Sequence, residues 1–293
     1  MKMQHRIGLV VKPTLTADDA AVQSTCAVLD SLGLSVHVEE SCPRGIGPSG
    51  APRFSLAAPN VDTLLVLGGD GTIFRTVRRL GDLSIPILGI NRGGVGFLAE
   101  IDADDAQDIL PRLLGGQGIV EERSLLEIRA ERAGAIVFQG HALNEAVIAQ
   151  GALARLLDLE TSVQGEPLTT YRADGLIIAT PTGSTAYSLS AGGPIVHPRM
   201  QAIILTPLNP HTFSQKPIVI PEHHRVTIAI LAREQRSSDM SVGLTLDGQE
   251  YIPLQWGDRV HVAAAAGKAR FLRRAEDTFF ATLRRKLKWG ERP

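Results

Sequence analysis

Cysteine is scarce in this sequence. Cys26 and Cys42 are its only two in 293 residues, too few for a disulfide framework or a zinc site. An excess of charge of one sign is missing too. Thirty Lys and Arg stand against 31 Asp and Glu, a net charge of −1, so no global field favours nucleic acid or an anionic membrane. No apolar run approaches the roughly 20 residues that a bilayer-spanning helix needs. Met1 to Arg6 are polar and lead straight into Ile7-Gly8-Leu9-Val10-Val11, without a signal-peptide core. Internal repeats and low-complexity tracts are absent as well. Together these absences point to a cytoplasmic protein with reduced thiols. Its 44% hydrophobic and 21% charged residues suit a globular chain, and its length predicts about two domains.

What is present centres on Val61-Asp62-Thr63-Leu64-Leu65-Val66-Leu67-Gly68-Gly69-Asp70-Gly71-Thr72. A buried-strand run ends in three glycines around one acid. Ile73, Val77 and Leu80 then repeat at helical spacing, with Arg75, Arg78 and Arg79 between them. A strand, a glycine turn and a helix start present backbone amides to phosphate. A carboxylate there repels phosphate unless it carries a metal or takes a proton, so the turn suits phosphate chemistry rather than storage. The spacing is neither the dinucleotide fingerprint G-x-G-x-x-G nor a P-loop, which closes on Gly-Lys-Ser/Thr. Taken alone, the turn is equally compatible with glycines that serve backbone geometry only.

The chain in order predicts an α/β half and then a β-rich half. Residues 7–11 read as a strand, 17–32 as a helix and 34–38 as a second strand, one βαβ unit of a parallel sheet. Residues 40–59 hold many Gly, Pro and Ser without a period, and read as a long mobile loop. Residues 85–90 are another strand, followed by a second glycine loop, Asn91-Arg92-Gly93-Gly94-Val95-Gly96-Phe97-Leu98. Residues 104–114 look helical, and Gly115-Gly116-Gln117-Gly118 ends this half. Beyond residue 120 short strands are expected at 125–130, 135–140, 142–149, 156–163, 176–180, 217–220, 226–232, 244–246 and 260–263. Asp247-Gly248 is a hairpin-turn signal. Residues 275–289 return to a helical pattern whose basic residues read as a solvated face. The expected division is 1–120 joined by 270–293, and 121–269.

Three further segments carry polar groups in unusual places. Asn144-Glu145 stand side by side in an apolar strand, costly to bury unless something polar is bound; a solvated strand end is the plain alternative. Arg172 and Asp174, two apart at a strand start, are either an exposed ion pair of little worth or a grip on a polar ligand. Thr180-Pro181-Thr182-Gly183-Ser184-Thr185-Ala186-Tyr187-Ser188-Leu189-Ser190-Ala191-Gly192-Gly193-Pro194 is rich in hydroxyls and small residues. It is too polar for a core element, and it reads as a ligand-binding loop.

In order and spacing, Gly68-Gly69-Asp70-Gly71-Thr72, Asn144-Glu145, Asp174-Gly175, the run 180–194 and Ile204-Leu205-Thr206-Pro207 with Pro210-His211-Thr212 resemble the NAD kinase family across nearly the whole chain. The glycine turn alone is shared with 6-phosphofructokinases and with diacylglycerol and sphingosine kinases; the hydroxyl-rich run selects among them. The resemblance implies a Rossmann-like α/β domain, a β-rich sandwich-like domain and a C-terminal helix returning to the first. It implies transfer of a phosphoryl group from ATP, or from polyphosphate in some members, to the adenosine-ribose 2′-hydroxyl of NAD, with a divalent metal, Mg²⁺, as cofactor. It further implies a homo-oligomer, dimer or tetramer, in which a neighbouring subunit completes the NAD site.

Residue by residue, Asp70 matches the family's proton acceptor, and Gly68, Gly69, Gly71 and Thr72 its phosphate turn, with Arg75 a candidate helper. Asn144 and Glu145 match the pair that holds the adenosine hydroxyls, and Asp174 the acid at the nicotinamide end. Thr185, Ala186, Tyr187 and Ser190, with Ser188 and Leu189 between them, match the adenine-side pocket. Gln249 matches a glutamine of relatives, and Arg155 falls at a variable contact position. Arg172 stands where some relatives have a small residue; its shape more than its charge favours NAD over NADH. A ribose hydroxyl is far less acidic than Asp70, so Asp70 would orient it and take its proton late. The rivals are a sugar or lipid kinase sharing only the first turn, and a nucleotide sensor with a dead site.

Overall fold

The structure, a computed structural model, describes residues 5–92, 97–151, 156–232, 242–276 and 278–288. The chain divides into two compact units, 1–122 with 269–293, and 123–268. In order, its elements begin with β1 (Arg6–Val11), α1 (Ala20–Ser31), β2 (Ser35–Glu39), β3 (Arg53–Phe54), β4 (Thr63–Leu67), α2 (Asp70–Arg79), β5 (Ile87–Asn91), β6 (Ile101–Asp102) and α3 (Ala106–Arg112). The strands β7 (Gly118–Arg132), β8 (Ala135–Ala142), β9 (Glu145–Gln150), β10 (Leu157–Val163), β11 (Glu166–Ala173) and β12 (Gly175–Ala179) follow, and then the short helix α4 (Tyr187–Ser190). The remainder is β13 (Ala202–Leu208), β14 (Ile218–Pro221), β15 (Val226–Ile230), β16 (Val242–Leu246), β17 (Glu250–Leu254), β18 (Arg259–Arg274) and α5 (Phe279–Leu287). No helix among the described residues is long and apolar enough to cross a membrane.

The first unit is a parallel sheet in the order β5-β4-β1-β2-β3. Its strands are near-continuous apolar runs because both faces are covered. One face, with Ile7, Leu9, Leu65, Leu67, Leu88 and Ile90, packs against Val22 and Leu29 of α1 and Leu110 of α3. On the opposite face α2 comes so close that a Cβ on Gly89 would sit 2.7 Å from Ile73 Cδ1 and 2.9 Å from the backbone of Ala99. Asp19 caps α1 by accepting the Ala21 amide at 3.0 Å, so the helix starts later than its periodicity suggests. The last part of the chain closes the unit: Phe271 of β18 pairs in parallel with Ile87 of β5, and Thr278 caps α5.

Residues 40–59 are not the free loop that their composition predicts. Cys42, Ile46, Phe54 and Leu56 are buried, Val38 pairs with Arg53, and the Arg53 guanidinium donates to the carbonyls of Glu39 and Cys42, each at 3.1 Å. Apolar residues spaced irregularly leave no period to read, yet Cys42, Ile46, Phe54 and Leu56 reach the interior.

The second unit is a sandwich. One sheet is antiparallel in the order β14-β13-β12-β9-β16-β17. The other is built from β11, β10, β15 and the first part of β18, with the β7–β8 hairpin. Ile148, Ile178, Leu205 and Leu244 from the first meet Ile128, Leu159, Ile228 and Val260 from the second in one core. The strands β11 and β13 and the full lengths of β7 and β18 exceed what the sequence pattern shows. The second face of the six-stranded sheet carries a smaller cluster of Val147, Ile177, Ala179, Ile204 and Val196.

Phe271 is 1% exposed and ties the end of β18 to the parallel sheet. Phe271→Ala is expected to cost about 3–5 kcal/mol, read as a lower midpoint in urea denaturation followed by circular dichroism.

Candidate functional site

In the first unit, β4 delivers the chain into the glycine turn. Gly68 donates its amide to Ile90 O at 2.8 Å. A Cβ there would lie 2.4 Å from Thr72 Oγ1, so a side chain would push the helix start away. Gly69 is the N-cap of α2, and its carbonyl accepts from Thr72 N at 2.8 Å. Asp70 occupies the first turn, where the helix dipole favours negative charge. Its carboxylate does not point free into solvent. It accepts from Phe97 N at 3.2 Å, Leu98 N at 3.4 Å and Ala99 N at 3.3 Å, the end of the second glycine loop. Gly93 to Gly96 of that loop lie outside the described residues. Thr72 is buried, and Gly71 is exposed. Arg75 is half-buried and acts electrostatically on the Cys42 thiol, which burial pushes up.

The segment that holds Asp70 is itself clamped. Glu100, 1% exposed as a side chain, pairs with Arg273 Nε at 2.7 Å and Arg274 Nε at 3.2 Å, and accepts the Arg274 amide at 2.9 Å. Arg273 also pairs with Glu121 at 3.7 Å and donates to Phe97 O at 3.5 Å. A buried ion pair of this kind is costly to break because it leaves an unmatched charge.

In the second unit, Asn144 and Glu145 stand at the entry to β9, and both are buried. Opposite them, Asp247 and Gly248 form the expected turn between β16 and β17, with positive φ at both residues. The Asp247 carboxylate reaches back to accept from Leu143 N at 2.9 Å, Asn144 N at 2.7 Å and Glu145 N at 3.2 Å. Glu145 Oε2 has no hydrogen-bond partner among the described residues. Burial first, and the Asp247 charge second, push the Glu145 carboxyl up to about 8. The sequence alternative of a solvated Asn-Glu strand end is therefore not what forms.

The hydroxyl-rich run follows β12 and meets the same place. Thr180 N donates to Asn144 O at 2.8 Å, and its hydroxyl donates to Leu143 O at 2.6 Å. Gly183 lies so close that a Cβ would be 2.2 Å from Asn144 O. Several hydroxyls hold the loop itself: Ser184 with Pro181 O and the Val196 backbone, Thr185 with Thr182 O, and Ser188 with Thr206 at 2.9 Å. Thr182 Oγ1 is buried without a partner among the described residues. Ala186 and Leu189 are half-buried, whereas Tyr187, 48% exposed, and Ser190 face outward.

Arg172 and Asp174 do not join this group. Gln150 N donates to Asp174 O at 3.3 Å, which puts Asp174 at the far end of β9, about 17 Å along the strand from Glu145 at 3.3 Å per residue. They do not lie together at a strand start. Arg172 is near the end of β11, exposed, and Asp174 sits in the bend before β12, where Asn209 Nδ2 donates to its carboxylate at 2.9 Å. Gln249 is exposed just past the Asp247 turn, with its amide on Leu246 O. Arg155 lies outside the described residues. Groups that the sequence pattern does not single out shape these places too: in the first unit the Phe97–Ala99 amides and the Glu100 clamp, in the second the Asp247 carboxylate. Only Asp247 carries a signal, and that signal is for a turn.

A glycine turn with a helix-starting acid in a parallel α/β unit, joined to a β-sandwich with a hydroxyl-rich loop, defines a two-domain class of nucleotide-using protein. The model described as the ATP-NAD kinase N-terminal domain matches residues 55–118, and that of the ATP-NAD kinase C-terminal domain matches 143–274. The NAD kinase of Geobacter sulfurreducens is 46% identical over 272 residues, 91% of this chain and 92% of the relative. That of Burkholderia pseudomallei is 35% identical over 291 residues, 99% and 95% of the two chains. Yeast NADH kinase complexed with NADH superposes with a TM-score of 0.84 at 25% identity, over 99% of this chain and 89% of that one. An Archaeoglobus fulgidus NAD kinase in complex with ATP gives 0.70 at 26% identity, over 92% and 94%. The chain belongs to the NAD kinase family.

The raised Glu145 carboxyl has a consequence for stability. An unfolded glutamate releases its proton near pH 4.3, whereas the folded one keeps it up to about 8. Between these values folding requires proton uptake, so this group's contribution is fully present below the lower value and is lost as pH rises towards 8. Glu145→Gln removes the titration. Its Tm is expected to exceed the parent's by about 4 °C or more at pH 8.5, with the gap narrowing at pH 5; a gap independent of pH would show that Glu145 does not titrate in this window.

Proposed function

We propose that this protein is an NAD kinase that moves the γ-phosphoryl group of ATP, or a phosphoryl group of inorganic polyphosphate, to the 2′-hydroxyl of the adenosine ribose of NAD, giving NADP. One observation carries the assignment of roles: Asp70 stands at the start of α2 behind the Gly68–Gly69 turn with its carboxylate already oriented by three backbone amides. The turn offers amides to phosphate oxygens, and Gly68, Gly69, Gly71 and Thr72 form that contact, with Arg75 nearby on α2.

Phosphoryl transfer passes through a loose transition state, so positioning and charge neutralisation do most of the work. Asp70 accepts the ribose proton late, as the new P–O bond forms, and the amide grip on its carboxylate loosens or shares that oxygen as it does. Asn144 and Glu145 hold the adenosine hydroxyls, and Thr185, Ala186, Tyr187, Ser188, Leu189 and Ser190 line the adenine side, where Tyr187 offers an exposed ring. Asp174 and Arg172 serve the nicotinamide end, with Gln249 and Arg155 as further contacts. Arg172 favours NAD over NADH by shape. The family resemblance further implies a homo-oligomer in which a neighbouring copy completes the NAD site.

Among the described residues no cluster of three or more His, Cys, Asp or Glu side chains forms a metal cage. Mg²⁺, held mainly through substrate phosphates, would neutralise their charge at the turn. The balanced net charge and the cysteine usage fit a cytoplasmic enzyme with no nucleic-acid or membrane partner.

The test is NADP formation from NAD with Mg²⁺ and either ATP or polyphosphate. Asp70→Asn is expected to keep NAD binding and to lower turnover by roughly 10²-fold or more. NAD binding by the parent with no NADP formed from either donor would favour the sensor instead.

A further inference from the structure

Asp247 lies at a hairpin tip, yet only 8% of it is exposed, and its carboxylate serves a different strand. By taking the amides of Leu143, Asn144 and Glu145, it satisfies the donors of the bend that introduces the dinucleotide contacts. The Glu145 carboxyl is thereby left unspent. It is 6% exposed, and its Oε2 has no partner among the described residues. A buried polar atom in that condition is open to a partner that arrives with a ligand. Thr182 Oγ1, on the loop that packs against Asn144, is in the same condition.

We infer that Asp247 is a positioning residue of the dinucleotide site: by capping the Leu143–Glu145 bend it seats the Glu145 carboxyl, buried and protonated, as a hydrogen-bond donor to an oxygen of the bound dinucleotide. This role rests on the NAD kinase reading above and concerns the proton state of the same site.

Charge sets that proton state. A carboxylate that accepts several backbone amides is stabilised in its ionised form, so Asp247 carries the negative charge. A second ionised carboxyl beside it, deprived of water, is disfavoured twice, by burial and by repulsion. Asp247 is the ionised group that bears on Glu145. From β12 and the Thr180–Gly183 bend come hydroxyls and backbone, and His141, at the end of β8, is exposed. The consequence is chemical. An ionised glutamate only accepts hydrogen bonds, whereas the protonated one donates.

The test is isothermal calorimetry of NAD binding to the full-length protein from pH 6.5 to 9.5, in two buffers of different ionisation enthalpy. The dissociation constant is expected to stay level at low pH and to rise about tenfold per unit above pH 8, with proton uptake climbing from near zero towards one per NAD bound. Glu145→Gln, neutral at every pH, is expected to flatten the profile and to bind NAD more tightly than the parent at pH 9.5. Asp247→Asn removes the repelling charge, so the onset of weakening moves to lower pH. A level parent profile, or a Glu145→Gln variant that loses tenfold or more of its affinity at pH 6.5, overturns the inference. Those two measurements decide the proton state of Glu145; an onset of weakening that stays at the parent's pH in Asp247→Asn, or in Asp247→Ser should the first fail to fold, overturns the role of Asp247. NADP formation is followed on the same preparations. A parent that makes no NADP refutes the kinase reading, whereas one that makes NADP with a level binding profile refutes only the proton assignment.

Discussion

Two aspartates do the same physical work in the two units. Each carboxylate accepts three consecutive backbone amides: Phe97 to Ala99 on Asp70, and Leu143 to Glu145 on Asp247. Consecutive amides that converge on one acceptor sit in an irregular bend, because helix and sheet send neighbouring donors elsewhere. Such a bend would otherwise leave buried N–H groups unmatched, at a cost comparable to lost hydrogen bonds. One ionised acceptor removes that cost and fixes the path of the chain at once. The segments Phe97–Ala99 and Leu143–Glu145 therefore take a geometry that depends on an acid distant in sequence, not on local propensity.

That dependence explains what the sequence discloses and what it conceals. The turn at Gly68 to Thr72 was legible because glycines, an acid and helical spacing are all local. The run 180–194 stood out for the same reason, although Thr180, Ser184 and Ser188 are fully buried and spend their hydroxyls on the protein itself. The sandwich was foreseeable from many short strands, but β18 was not, because Ala263 to Ala266 and Gly267 blur its alternation over 16 residues. β7 is obscured by an exposed first half. Asp247 read as a turn residue, correctly, while its second role depends on an amide 104 residues away. Glu100 gave no signal, since its partners Arg273 and Arg274 are more than 170 residues downstream.

The Glu100 clamp also accounts for the return of the chain's last strand to the first unit. Phe271 supplies apolar burial against β5, whereas Arg273 and Arg274 supply charge to a glutamate that is otherwise fully desolvated. The two effects have different functions. Burial is non-directional and holds the strand; the ion pairs are directional and hold one backbone segment, Phe97 to Glu100, in one place. That segment is the one that carries the amides on Asp70. A replacement of the pair by apolar residues of similar volume could match its stability and still lose this registry.

The two carboxyls of the second unit complete the logic. Burying Glu145 costs stability as pH rises, and nothing in the packing of β9 requires an acid there: Ala146 and Ile148 serve the core without it. Repulsion from Asp247 adds to the cost. A fold selected for stability alone would place an apolar or amide side chain at that position. An acid buried beside a like charge, with one carboxyl oxygen unmatched among the described residues, points to function rather than architecture. Here the two roles separate cleanly, with Asp247 holding the backbone by its charge and Glu145 held ready by the lack of one.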